Sequence, residues 1–218
     1  MLPIIDSLLI IFILTNLLLL GSGRLATYIQ MIAVQGVLLG ILTVFIQHGG
    51  FRLRFALLAI GSTAIKGILF PLLLARATRL VHIKRELEPV IGYTGSLIIG
   101  AFLLALSLWI SSRLPIPTPG KIDDYVLPIA FFTIFTACFL MISRTKAITQ
   151  VISYIVLENG IYLFGIPFAG EAPVLIELGL LLDLTVGIFV MGIILYHINR
   201  EFSSVNVNEL SSLKDSRL

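Results

Sequence analysis

The sequence predicts an all-α integral membrane protein with seven transmembrane helices. Of its 218 residues, 58% are hydrophobic and only 12% are charged, and the mean hydropathy is +1.06. Charged residues make up about a quarter of an ordinary soluble domain. Apolar runs of about 20 residues, the length that crosses a bilayer, take up most of the chain. We therefore expect one polytopic membrane domain over 1–200, followed by a polar cytoplasmic tail over 201–218.

Helix-breaking residues separate the apolar runs. The glycine-containing stretches 21–24 and 48–50 predict tight turns, and the proline-rich stretch 115–120 predicts a loop. Pro173 is placed to begin the last helix. The expected spans lie at about 2–20, 25–47, 54–76, 92–112, 124–143, 147–168 and 173–198.

Basic residues near the span ends predict the orientation, because cytoplasmic loops carry an excess of Lys and Arg. Eight lie on one side, against four on the other, so we expect the N-terminus outside and the C-terminus in the cytoplasm. The first set is Arg24, Arg76, Arg79, Lys84, Arg85, Arg144, Lys146 and Arg200, and the second is Arg52, Arg54, Arg113 and Lys121. The N-terminus lacks the basic region of a secretory signal peptide, so we expect the first run to be a retained helix.

The two halves of the chain resemble each other at a constant offset. A shift of 120 residues places Arg24 on Arg144, Gln30 on Gln150, Gly40 on Gly160 and Gly67 on Gly187. This pattern predicts a parallel repeat of three helices, spans 1–3 (about 2–76) and 5–7 (about 122–198), joined by helix 4. The same shift sets Glu158 opposite Leu38 and Asp183 opposite Thr63, so the carboxylates belong to the second half.

Three ionisable side chains lie near the middle of predicted spans: Glu158, Asp183 and Lys66. Each such group costs roughly 2.5–3.5 kcal/mol at the bilayer centre on insertion scales, and such groups commonly mark proton or ion paths. Glu158 and Asp183 fall at similar depths on antiparallel neighbours, which suits a proton relay. The alternative is an interhelical pair, in which each acid is protonated or bonded to Asn159, Thr185 or a lysine. Lys66 either tunes a neighbouring carboxylate or pairs with an acidic residue of a partner subunit.

Glu177 and several neutral polar residues are secondary candidates. Glu177 precedes Asp183 by six residues, which on a helix separates them by roughly 120° and about 9 Å along the axis. It would therefore serve as an entry group for protons or as an interfacial residue, and not as half of a carboxylate dyad. Amide side chains are expected to hydrogen-bond between helices: Gln30, Gln35, Gln150 and Asn159.

The sequence predicts no cofactor and no metal site within this chain. The single cysteine, Cys138, cannot form a disulfide framework or an iron–sulfur site by itself, and the histidines lie far apart, at His48, His82 and His197. The formal charge of +3 follows from the loop arginines and lysines and does not indicate nucleic-acid binding.

Two short motifs resemble those of a known family. Residues 156–160, Val-Leu-Glu-Asn-Gly, look like the second-helix glutamate motif of the hydrogenase-4 component E family, which is related to the K subunit of complex I and the C subunit of multisubunit Na+/H+ antiporters. Residues 183–188, Asp-Leu-Thr-Val-Gly-Ile, look like that family's third-helix acidic motif, with aspartate where the small subunits typically have glutamate. The resemblance is strongest over about 122–200.

The resemblance implies a membrane-arm subunit of a complex I-like, hydrogenase-type ion pump in a prokaryotic cell membrane. It would contribute Glu158 and Asp183 to a proton pathway, while the redox metals would belong to other subunits. The expected partners are antiporter-like membrane subunits, hydrogenase-type peripheral subunits and the lipid bilayer. Two alternatives remain: a passive structural subunit of such a complex, and a lone carrier for a small cation that uses Glu158 as its binding carboxylate.

Overall fold

A computed structural model describes residues 2–46, 60–61, 63–80, 91–114, 123–144, 147–166, 187 and 192. Within these ranges the secondary structure is entirely helical, which confirms the predicted class. The helices are α1 (Leu2–Gly21), α2 (Leu25–Ile46), a π-helical segment (Ile65–Leu69) that continues into α3 (Phe70–Leu80), α4 (Tyr93–Ser111), α5 (Asp123–Ser143) and α6 (Ala147–Gly165).

Four of these helices are long and apolar enough to cross a membrane. The candidate spans are Ile4–Gly21, Leu25–Phe45, Tyr93–Ser111 and Tyr125–Ser143. Helix α6 has the same length as α4, 19 residues, but carries more polar side chains. The prediction of seven spans and of an external N-terminus extends over residues that the structure does not describe, and it stays a prediction.

Helices α1, α2, α5 and α6 form a closed four-helix ring. In this ring α1 packs on α2 and α5, while α6 packs on the same two helices from the opposite side. Helix α4 lies outside the ring against α1 and α5, and the π-helical segment with α3 lies outside it against α2. Many large apolar side chains on the outer faces are exposed, as is expected of a surface that meets lipid.

Two apolar clusters fill the ring, one toward each end. The first includes Leu19, Ile32, Leu140 and Ile152, and the second includes Leu9, Leu39, Ile129 and Leu163. On each of the four helices, buried polar residues occur between the positions that belong to the two clusters. We call the set Thr15, Asn16, Gln35, Thr133 and Asn159 the polar layer; all five side chains are buried.

Glycines permit close contact between helices where the ionisable residues lie. A Cβ on Gly36 of α2 would come within 2.7 Å of the Lys66 carbonyl carbon and of the Gly67 nitrogen in the π-helical segment. A Cβ on Gly160 of α6 would come within 3.0 Å of the Ile134 nitrogen in α5. Membrane helices commonly use small residues for such contacts.

The π-helical segment has an identifiable cause in the sequence. The Phe70 N–H donates to the carbonyl of Ile65, five residues earlier, whereas an α-helix would use the residue four earlier. Pro71 follows directly and has no N–H to continue an α-helical ladder. Segments of this kind are frequent at functional sites, and this one carries Lys66.

Candidate functional site

Lys66 and Glu158 form an ion pair inside the protein. The Lys66 Nζ lies 2.6 Å from Glu158 Oε1, and each side chain is 1% exposed. Lys66 comes from the π-helical segment and Glu158 from α6, and both elements pack against α2. The close contact at Gly36 brings the Lys66 backbone against α2. From there the Lys66 side chain reaches Glu158 on α6.

The glutamate has few other partners. Neither carboxylate oxygen accepts a well-formed hydrogen bond from a residue that the structure describes. The ammonium is therefore the group that balances the glutamate charge. A buried carboxylate with this environment depends strongly on its one cation, because an uncompensated charge in a low-dielectric interior is very unfavourable.

Tyr162 completes the surroundings of the lysine. The Lys66 Nζ lies 4.9 Å from the centroid of the Tyr162 ring, within the range of a cation–π contact. The Tyr162 hydroxyl lies 3.3 Å from Thr43 Oγ1, which is itself 2.7 Å from the Leu39 carbonyl oxygen. Because the shorter bond uses the threonine proton, the tyrosine hydroxyl is the donor to Thr43.

The polar layer begins next to Glu158 and crosses the ring. Asn159 Nδ2 donates to Gln35 Oε1 at 3.2 Å. Gln35 Nε2 donates in turn to Thr15 Oγ1 and to Asn16 Oδ1, both at 3.0 Å. Asn16 Nδ2 then donates to Thr133 Oγ1 at 2.8 Å. These bonds link α6, α2, α1 and α5, and they place the ion pair beside a fixed array of amides.

The structure brings together only part of the predicted set. Lys66 and Glu158 are in contact, whereas Asp183 and Glu177 lie outside the described residues. Gly187, four residues after Asp183, is described: a Cβ there would lie 3.9 Å from the ring of Phe70, which is four residues after Lys66.

Of the four amides expected to hydrogen-bond between helices, two do so. Gln35 and Asn159 belong to the polar layer, and Gln30 and Gln150 are exposed on the outer surface. Cys138 is also exposed. The described residues contain no group of three or more His, Cys, Asp or Glu that could hold a metal ion, and the three histidines lie outside them.

Several residues of the site were not predicted from the sequence. Asn16 is a polar amide inside the first apolar span, so the reasoning applied to Gln35 would have found it. Tyr162 carries no such signal, because aromatic residues are common in apolar helices. Thr15 and Thr133 likewise resemble ordinary helix threonines, which often bond to their own backbone.

Arg144, one of the basic residues that predict the orientation in the membrane, is buried in the structure. It is only 2% exposed, although it directly follows α5. Its Nη2 lies 3.4 Å from the Leu20 carbonyl oxygen, near the C-terminal end of α1. The guanidinium also lies 5.7 Å from the centroid of the Tyr93 ring and beside Tyr28. It thus joins the ends of four helices.

Comparison with known proteins gives distant relatives. The chain is 28% identical over 206 residues to the uncharacterized protein Rv0085 of Mycobacterium tuberculosis, with 93% of this chain and 92% of the relative covered. It is 24% identical over 150 residues to Hydrogenase-4 component E of Escherichia coli K12, with 68% of each covered, and the protein of that name from Shigella flexneri gives the same figures. No family model matches, and no solved structure gives a significant match. The chain is a membrane protein with distant similarity to Hydrogenase-4 component E.

Proposed function

We propose that this chain is a membrane subunit of a hydrogenase-type, complex I-like ion pump, and that Lys66 and Glu158 belong to its proton pathway. The observation that carries the proposal is the buried ion pair between them. The distant similarity to Hydrogenase-4 component E supports the kind of complex. The expected location is the inner or plasma membrane of a prokaryotic cell, with antiporter-like membrane subunits and hydrogenase-type peripheral subunits as partners.

The chemistry of the pair suits proton exchange. A glutamate with one cationic partner and no other described donor changes its environment greatly when it takes up a proton, because the negative charge next to the lysine is then neutralised. Protonation of Glu158 is therefore strongly coupled to the positions of nearby charges. Such coupling is what a redox-driven pump needs in order to convert a change elsewhere in the complex into proton movement.

Asp183 belongs to the same pathway in this proposal. The predicted helix over 173–198 runs in the same direction as the third span, and Gly187 lies against Phe70. Asp183 and Lys66 each lie four residues before this contact, about one helical turn. We therefore expect Asp183 at the depth of Lys66, so that the lysine has a carboxylate on each side. Glu177, six residues before Asp183 on that predicted helix, would be an entry group for protons.

Membership of a complex is tested by purification of the tagged protein from its native membrane in a mild detergent, with mass spectrometry of the co-purified chains. Antiporter-like and hydrogenase-like subunits in fixed stoichiometry are the expected result. Recovery of the chain alone, under conditions in which other membrane complexes survive, would contradict the proposal.

The proton-pathway role is tested with variants that separate charge balance from proton exchange. Glu158→Gln removes the exchangeable proton but also removes the carboxylate charge that lies 2.6 Å from the Lys66 ammonium. The double variant Lys66→Met with Glu158→Gln removes both charges, so the complex should assemble normally. Because it still lacks a protonatable group, it should not couple turnover to proton pumping. Normal pumping by an assembled double variant would remove the pair from the pathway.

A passive structural subunit is the second candidate, and the full charge balance of the pair favours it. On that hypothesis the double variant assembles and the complex pumps as well as the wild type. A lone cation carrier is distinguished by reconstitution of the purified chain into vesicles, where it alone should carry a cation across the membrane. The proposed subunit should not transport when reconstituted without its partners.

A further inference from the structure

We propose that Tyr162 is a positioning residue that holds the Lys66 ammonium when Glu158 is protonated. The inference rests on the proposed function, since it requires Glu158 to exchange protons. Tyr162 and Glu158 are four residues apart on α6 and so lie on the same face, one turn apart. Lys66 lies against both: its Nζ is 2.6 Å from Glu158 Oε1 and 4.9 Å from the Tyr162 ring centroid.

The two partners stabilise the lysine charge in different ways. Glu158 does so only while it is ionised, and this attraction is lost when the carboxyl takes up a proton. The face of an aromatic ring attracts a cation through its quadrupole and remains unchanged when the glutamate is protonated. The ring thus lets Glu158 accept a proton while Lys66 stays charged, and the ammonium has a place to remain near the pathway.

The tyrosine hydroxyl anchors the ring and does not itself relay protons. It donates to Thr43 Oγ1, whose own proton is directed to the Leu39 carbonyl oxygen. A proton passed from Tyr162 through Thr43 would end at the Leu39 backbone carbonyl. The bond therefore fixes the ring orientation from α2, while the ring face remains directed to the lysine.

Other charged or titratable side chains belong to the elements that pack around the pair. Arg76 on α3 and Cys138 on α5 are exposed, and Tyr28 lies beside Arg144 at the end of the bundle. The remaining ones on these elements are Arg79, Asp123, Asp124, Tyr125 and Tyr154, while Asp183 and Glu177 lie outside the described residues. Tyr162 contributes an aromatic ring whose centroid lies 4.9 Å from the lysine Nζ.

The test measures protonation of Glu158 by infrared difference spectroscopy of the purified complex in lipid nanodiscs during a pH titration. The band of the protonated carboxyl is assigned by its loss in Glu158→Gln. Tyr162→Phe keeps the ring but loses the hydroxyl bond to Thr43, so its titration is the reference for the trifluorophenylalanine variant. Trifluorophenylalanine at position 162 keeps the ring size but weakens its quadrupole. With trifluorophenylalanine at this position, the proton concentration at which half of the band has appeared should be about tenfold higher. This is the effect expected for loss of a desolvated cation–π contact.

Matched controls separate this effect from a general disturbance of packing. Trifluorophenylalanine at Tyr154, on the same helix, should leave the titration at its wild-type position. Equal titrations for phenylalanine and trifluorophenylalanine at position 162 would overturn the role of Tyr162 while leaving the proposed function intact. If no Glu158 band appears in the wild type at any pH, the proposed function fails, and the role of Tyr162 fails with it.

Discussion

Gly36 of α2 lies directly against the peptide bond that joins Lys66 to Gly67. A Cβ at residue 36 would approach the Lys66 carbonyl carbon and the Gly67 nitrogen to 2.7 Å. Both contacts are with backbone atoms, which cannot rotate away as the end of a side chain can. The position of Lys66 relative to α6 therefore depends on the absence of a side chain on α2.

Replacement of Gly36 by alanine should push the π-helical segment away from α2. We expect Gly36→Ala to lower the free energy of unfolding by about 1–3 kcal/mol, the usual effect of overpacking. Thermal unfolding of the purified chain in detergent measures it. Gly61 is the matched control, because a Cβ there meets nothing within 4 Å. If Gly36→Ala were as harmless as Gly61→Ala, the close contact would not constrain Lys66.

The ion pair should behave as one unit in its effect on stability. Lys66→Met or Glu158→Gln alone breaks the buried ion pair, and each should lower the free energy of unfolding by about 3–5 kcal/mol. The double variant should recover most of that loss, because it buries no unpaired charge. A double-mutant cycle by titration with a denaturing detergent measures the coupling. Simple addition of the two losses would indicate that the side chains do not depend on each other.

The outline of the described helices could be predicted from the sequence, because apolar runs are bounded by glycine and proline or by charged residues. Glycines mark the turn between α1 and α2, and Arg144 and Lys146 mark the turn between α5 and α6. The π-helical segment could not be predicted in this way. A proline at position 71 indicates a disturbed helix but does not select between a kink and a π-helical turn.

The members of the site were easier to predict than their partners. Lys66 and Glu158 are conspicuous because charged residues are rare in apolar spans. Their pairing depends on which helices pack together, and that is decided by contacts such as Gly36 on Lys66, which no local pattern contains. Tyr162 acts through contacts with other helices, so its sequence neighbours give no indication of its role.

Gln35 is the central member of the polar layer. Its side chain makes three hydrogen bonds, with Thr15, Asn16 and Asn159. At about 0.6 kcal/mol for each bond between membrane helices, Gln35→Leu should lower the free energy of unfolding by about 2 kcal/mol. Gln30→Leu on the same helix is the control, since Gln30 is exposed and its loss should change stability by less than about 0.5 kcal/mol. Equal effects in thermal unfolding would argue that the layer contributes nothing beyond its packing.

Pro71 should affect activity through the position of Lys66. An alanine at this position restores an N–H that can donate to the Gly67 carbonyl, which favours an α-helix over the π-helical segment. Conversion to an α-helix shifts the helix register by one residue, and Lys66 would rotate by roughly 100° away from Glu158. The gain of about 3 kcal/mol from removal of a proline in a helix interior is then offset by loss of the buried ion pair, so the free energy of unfolding should not rise. Proton pumping by the complex should fall. Pro128→Ala in α5, which replaces a buried proline inside another helix, should leave pumping unchanged. Full pumping by Pro71→Ala would show that the π-helical segment is not needed to bring the lysine to the glutamate.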